Sequence, residues 1–151
     1  HYRIFKDSKK LINSIIENFG NHPNFIFEKG VIPSDKFHNS KCMISDWSGI
    51  SLEYVFTFER PIVFIDAPKK ILNPDSGNIS MEPIEISIRE KIGHVVSTNN
   101  LEKIPEIIKN LDNDNLMSEQ IRKIRSEIVY NIGNSAKIGA EIIEKIYKES
   151  N

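Results

Sequence analysis

Four residues, Asp46-Trp47-Ser48-Gly49, join the short apolar segment Lys41–Ser45 to the apolar run Ile50–Phe58. An apolar segment that turns sharply into a helix leaves the helix's first amides without internal partners, at the positive end of the helix dipole. Ser48 adds a hydroxyl there, and Gly49 has no side chain to obstruct an approaching oxygen. Such a helix start suits a phosphate. The same residues also fit plain capping of the helix by Asp46 or Ser48. Glu53 is the sole charge within Ile50–Phe58, a segment apolar nearly all round. The pattern predicts a buried carboxylate in need of a partner. That partner is either an arginine or lysine of the fold, or the hydroxyls of a ligand such as a ribose.

Other chemistry-bearing residues are scattered. Arg89, in Ser-Ile-Arg-Glu-Lys, is the best cation for a second phosphate contact, and Lys69 and Lys70 form a pair suited either to steering a diphosphate or to plain solvation. His22 and His38 sit in polar stretches and read as solvated, whereas His94 reads as a strand start. No spacing of His, Cys, Asp and Glu matches a structural zinc site, so neither metal nor cofactor is expected.

The elements that must hold these residues follow from periodicity. Leu11, Ile12, Ile15, Ile16 and Phe19 recur at helical spacing behind Asp7 or Ser8 and stop at Gly20. Residues 24–28 and 41–45 read as short strands, and 34–40 as one or two helical turns. Residues 48–59 read as a helix ended by Arg60-Pro61, since the residue before proline is driven out of the α region. The continuous apolar run 61–66 is a strand covered on both faces. A long connection, 67–92, carries three prolines and leaves a strand's carboxyl end, where open α/β sheets place ligands. Strand 94–97, helix 99–111 and helices from Ser118 onward, broken at 130–135, complete the order. Ile121, Ile124 and Ile128, then Ile138, Ile142, Ile143 and Ile146, read as core-packing stripes. Alternation of this kind predicts an α/β domain, a mostly parallel sheet with helices on both faces.

Composition bounds the partners. The 151 residues fit one domain, 1–151. Twenty basic and 21 acidic residues leave a net charge of −1, which attracts neither nucleic acid nor an anionic membrane, so any anion site must be local. The single Cys42 forms no internal disulfide, in keeping with a reducing compartment. No signal peptide or membrane-spanning run is visible, and a cytoplasmic protein is expected.

The stretch Ile44–Ile65, with Asp46, Trp47, Ser48, Gly49, Glu53, Arg60-Pro61 and the apolar strand behind them, resembles the signature of the CDP-glycerol glycerophosphotransferase family, which polymerises wall teichoic acid and related surface polymers. The opening His1-Tyr-Arg-Ile-Phe is similar to the start of that family's C-terminal domain. The likeness covers residues 1–66 well and the remainder loosely. A second serine, common in the family, is Gly49 here, Trp47 stands for the usual tyrosine, and residues 80–97 depart from the family's Tyr/Gly-rich loop.

The resemblance implies a Rossmann-like domain corresponding to the C-terminal, nucleotide-binding half of a GT-B enzyme. Its donor is CDP-glycerol or a related nucleotide diphosphate, and its acceptor is a polymer or lipid-linked hydroxyl met through an N-terminal domain, at the inner face of the cell membrane. Ser48 and Gly49 would hold the diphosphate, Asp46 would order the turn, Glu53 would reach the ribose, Arg89 would contact a phosphate, and His1 would be catalytic. Lys29–Pro33 would offer either a shelf for the cytosine or an ordinary loop. Two other readings stay open: the C-terminal domain of a nucleotide-sugar glycosyltransferase, and a non-catalytic flavodoxin-like interaction domain.

Overall fold

A computed structural model describes residues 8–30, 32, 34–68, 80–111 and 115–150. The chain forms two compact units, residues 1–40 and 41–151.

In the first unit, α1 (Lys9–Phe19) follows Ser8 at its N-cap and α2 (Ser34–His38) is a short helix. Residues 24–28, expected as a strand, are irregular. The Phe25 amide donates to the His22 carbonyl in a turn, and the Phe25 ring lies against Phe19, 6.0 Å between centroids. A strand needs a neighbour to satisfy its amides and carbonyls, and local apolarity cannot supply one.

In the second unit the order is β1 (Met43–Ser45), α3 (Ile50–Phe58), β2 (Ile62–Asp66), α4 (Ile84–Ser87), α5 (Arg89–Ile92), β3 (Gly93–Ser97), a 3₁₀ turn (Leu101–Lys103), α6 (Ile104–Asn110), α7 (Asn115–Ile128) and α8 (Ser135–Glu149). The strands form a parallel three-stranded sheet in the order β1-β2-β3, with Ile44 beside Val63 and Val63 beside His94. The fold is therefore mixed α/β. Side chains alternate across a strand, so Ser45, Phe64 and Val95 share one face of the sheet. α3 covers that face through Ser51, whose hydroxyl lies 3.0 Å from the Ser45 hydroxyl. β3 starts tightly: a Cβ on Gly93 would collide with the Ile62 carbonyl.

Residues 67–92 are more regular than the sequence suggests, because Pro83 precedes α4 and α4 runs on into α5. Residues 69–79 lie outside the described residues. The helix expected at 99–111 is a 3₁₀ turn followed by α6, with Pro105 at the helix start, where its missing amide costs nothing. The break before α8 uses left-handed backbone at Asn131 and Gly133, with φ of 56° and 78°. Among the described residues no helix is long and apolar enough to cross a membrane.

The core comprises Tyr54 and Val55 of α3, Ile62, Val63 and Phe64 of β2, Ile88, Ile92 and Val96, and Ile121 and Ile124 of α7. α8 contributes no buried residue. Of its isoleucines expected as core, Ile142, Ile143 and Ile146 are exposed and Ile138 is half-buried, which corrects the reading of the second stripe. Periodicity marks an apolar face but not what lies opposite it.

One ion-pair clamp closes α3 onto α7. Helix α3 ends where Glu59 adopts the left-handed conformation, φ 53°. From there its carboxylate accepts from Arg122 Nε at 2.7 Å and Arg125 Nη1 at 2.6 Å. The hydrogen bond from Arg122, above all, and that from Arg125 hold the Glu59 carboxyl below its ordinary value, against the opposing pull of partial burial. A depressed carboxyl stabilises the fold above its unfolded pKa, and that contribution vanishes as pH falls through the folded pKa. Urea unfolding should therefore show the chain losing stability below pH 4.5, the ordinary glutamate value. Glu59→Gln should be less stable at neutral pH and show a smaller acid loss. Parallel acid profiles for the two proteins would deny the clamp any energetic role.

Candidate functional site

The carboxyl ends of β1 and β2 bring the sequence candidates into one neighbourhood. β1 delivers the chain to Asp46, which is exposed, and Trp47 and Ser48, which are half-buried. Gly49 occupies the N-cap of α3 in an α-helical conformation, and the helix starts without a side-chain cap. A Cβ built on Gly49 meets nothing within 4 Å. The turn is fastened from below. The Ser51 hydroxyl donates to the Ser48 carbonyl at 2.6 Å, a reach back over three residues that the sequence reading missed.

Glu53 is exposed, contrary to the buried setting expected for it. Ser51, Tyr54 and Val55 turn inward, so Ile50, Glu53 and Thr57, at helical spacing, form the outer stripe. In the first turn of α3 its charge meets the favourable end of the dipole. Asp46 and Glu53 thus set two carboxylates near the helix start, both accessible to screening by water and salt.

Trp47 and Arg89 organise the rest. The indole Nε1 donates to the Ala67 carbonyl at 2.6 Å and so ties the β1–α3 turn to the chain leaving β2. The Arg89 guanidinium lies 3.8 Å above the indole ring centroid and 4.9 Å from that of Phe64. Its Nη1 donates to Asp66 Oδ1 at 3.0 Å and its Nη2 to the Ile65 carbonyl at 3.3 Å. Arg89 Nε is buried with no hydrogen-bond partner. Stacking a cation on indole adds about 0.5–2 kcal/mol according to how dry the site is. A cleft of about 370 Å³ opens here, lined by Trp47, Asp66, Ser87, Arg89, Lys91 and Val95 among others. Asp66 was not singled out by sequence. Its only signal was its place as the last residue of an apolar strand.

The remaining candidates do not join this cluster among the described residues of the second unit. His1, Lys69, Lys70, Val31 and Pro33 are outside the described residues. Of the expected base shelf, Gly30 turns with φ 97°, a conformation that favours glycine. His22 accepts from the Asn24 amide at 3.2 Å in an exposed turn, and His38 ends α2. His94 pairs in register with Val63 and so lies on the face of the sheet opposite Phe64 and Arg89. Burial pushes the Cys42 thiol up, more than neighbouring Lys41 draws it down, so the thiol is no ready nucleophile. Among the described residues no three of His, Cys, Asp and Glu gather as a metal site.

No protein-family model, curated protein or solved structure matches the chain.

Proposed function

We propose that this chain binds a nucleotide-diphosphate donor, in the manner of the CDP-glycerol glycerophosphotransferases, as the Rossmann-like donor half of a GT-B transferase. The observation that carries the reading is the uncapped start of α3 at the carboxyl end of β1, with open space over Gly49. The Ser51 and Leu52 amides donate to the Ser48 and Gly49 carbonyls, and a diphosphate would supply an acceptor to the amides at the turn before them. Arg89 and Lys91 line the adjoining cleft together with Asp66 and Glu90, and they are the cations within reach of a phosphate there.

In this reading the α3 amides at Ser48 and Gly49 hold the diphosphate and stabilise the charge that builds on the departing CMP as an acceptor hydroxyl attacks the glycerol-bearing phosphorus. Asp46 orders the turn. Glu53, on the outer stripe of the first turn, is free to meet the ribose hydroxyls of a ligand that runs over the helix start. Arg89, held flat against Trp47, offers its guanidinium to the second phosphate, in competition with Asp66. His1 is the catalytic group carried over by resemblance. The acceptor and a cytoplasmic setting at the inner membrane face belong to the same proposal.

Nucleotide titrations by calorimetry test it. CDP should bind at least about tenfold more tightly than CMP, a difference of about 1.4 kcal/mol. Gly49→Val should melt near wild type, because its side chain enters open space, yet lose CDP affinity by blocking the amides. Ser48→Ala should keep most of the affinity, since the backbone does the holding. Equal binding of CMP and CDP, or undiminished CDP binding by Gly49→Val, would remove the phosphate role from this turn.

A further inference from the structure

We propose that the cleft beside the Asp-Trp-Ser-Gly turn takes a vicinal diol of the ligand, with Asp66 accepting from its hydroxyls and Arg89 positioning Asp66. The proposal deepens the donor reading by assigning the neutral part of the ligand, and it rests on that reading for the phosphate beside the diol.

Asp66 has acceptor capacity to spare. It ends β2, the central strand, on the sheet face that carries Phe64. Arg89 Nη1 engages Oδ1 at 3.0 Å, while the Asp66 side chain stays 53% exposed along the cleft. Among the described residues the second oxygen, Oδ2, has no partner. The arginine that holds this carboxylate is itself fixed, between the Trp47 and Phe64 rings and on the Ile65 carbonyl. Where a phosphate draws Arg89 away, a diol leaves Asp66 with a partner of its own.

The unmet groups select the ligand class. An ionised carboxylate only accepts, and Arg89 Nε, buried without a partner, only donates. A hydroxyl does both, and a vicinal diol presents two side by side. A phosphate suits the arginine but is repelled by the carboxylate. Asp66 and Glu90 balance Arg89 and Lys91 along the cleft, so its lining favours a neutral polar group over an ion of either sign. Its volume of about 370 Å³ lies within the range of small-molecule sites.

Trp47, the sole tryptophan, lines the cleft, so its fluorescence reads binding there. Two pairs of phosphate esters test the proposal. Glycerol 3-phosphate has the charge and carbon count of propyl phosphate and adds a vicinal diol. Ribose 5-phosphate has one that 2-deoxyribose 5-phosphate lacks. The diol should tighten binding about tenfold, the effect of one hydrogen bond to a charged group. An advantage in the first pair alone supports an open-chain diol, and in the second alone a ribose. Asp66→Ala should bring the ratio to parity. Gly49→Val should weaken all four esters alike and keep the ratio. A wild-type chain with no diol advantage in either pair overturns the proposal, a comparison that stands even if Asp66→Ala fails to fold. So does an advantage that survives Asp66→Ala. Undiminished binding by Gly49→Val with the diol advantage intact would remove only the phosphate role of the turn.

Discussion

Replacing Ile121 with alanine is expected to lower the unfolding free energy by about 3 kcal/mol, the usual scale for emptying a fully enclosed isoleucine site. Ile121 is 0% exposed, at the point where α7 meets α3 and α5. The alanine leaves a void that the surrounding helices and sheet can only partly close. Ile143→Ala, on α8, removes the same atoms from a position 70% exposed and should change the stability of the single chain by no more than about 0.5 kcal/mol. Trp47 is the sole tryptophan and is stacked beneath Arg89, so its fluorescence reports unfolding in urea. Equal losses from the two substitutions would mean that α8 is packed in solution.

Asp66→Ala is expected to destabilise by about 2–3 kcal/mol, although the Asp66 side chain is itself 53% exposed. The cost arises on the other partner. The Arg89 side chain is only 6% exposed and loses its counter-charge, while its Nε already lacks an acceptor. The Ile65 carbonyl and the Trp47 and Phe64 rings remain, which keeps the loss toward the low end for a broken buried pair. The double variant Asp66→Ala/Arg89→Met should recover most of the stability, because methionine fills the space between the rings with no charge to strand. A double variant as unstable as the sum of its parts would show that the ion pair is incidental. If CDP occupies Arg89 as proposed, saturating CDP should stabilise Asp66→Ala more than wild type, since the nucleotide would take the place of the missing carboxylate.

Much of the second unit was legible in the chain. The run 61–65 is apolar without interruption, and Ile62, Val63 and Phe64 of the central strand are buried on both faces of the sheet, while the proline at its start ended the preceding helix on schedule. The Asp-Trp-Ser-Gly turn was legible as a helix start because glycine and serine at that spacing break one regular element and open another. Glu53 was misjudged for a geometric reason. Ser51, Tyr54 and Val55 fix the rotation of α3, and a helix apolar on nearly every side does not reveal which side that is.

What the sequence determined by itself is local: where α1, α3, α7 and α8 carry apolar stripes, where prolines and glycines interrupt them, and that any anion site in a chain of net charge −1 must be built from a few residues. Tertiary structure decided every pairing across distance. It left residues 24–28 irregular, sent Ile121 and Ile124 of α7 into the core while Ile142, Ile143 and Ile146 of α8 face water, and set Arg89 against Asp66, 23 positions away. Periodicity is a property of a segment, whereas burial and charge pairing belong to two surfaces at once, and only the fold specifies the second surface.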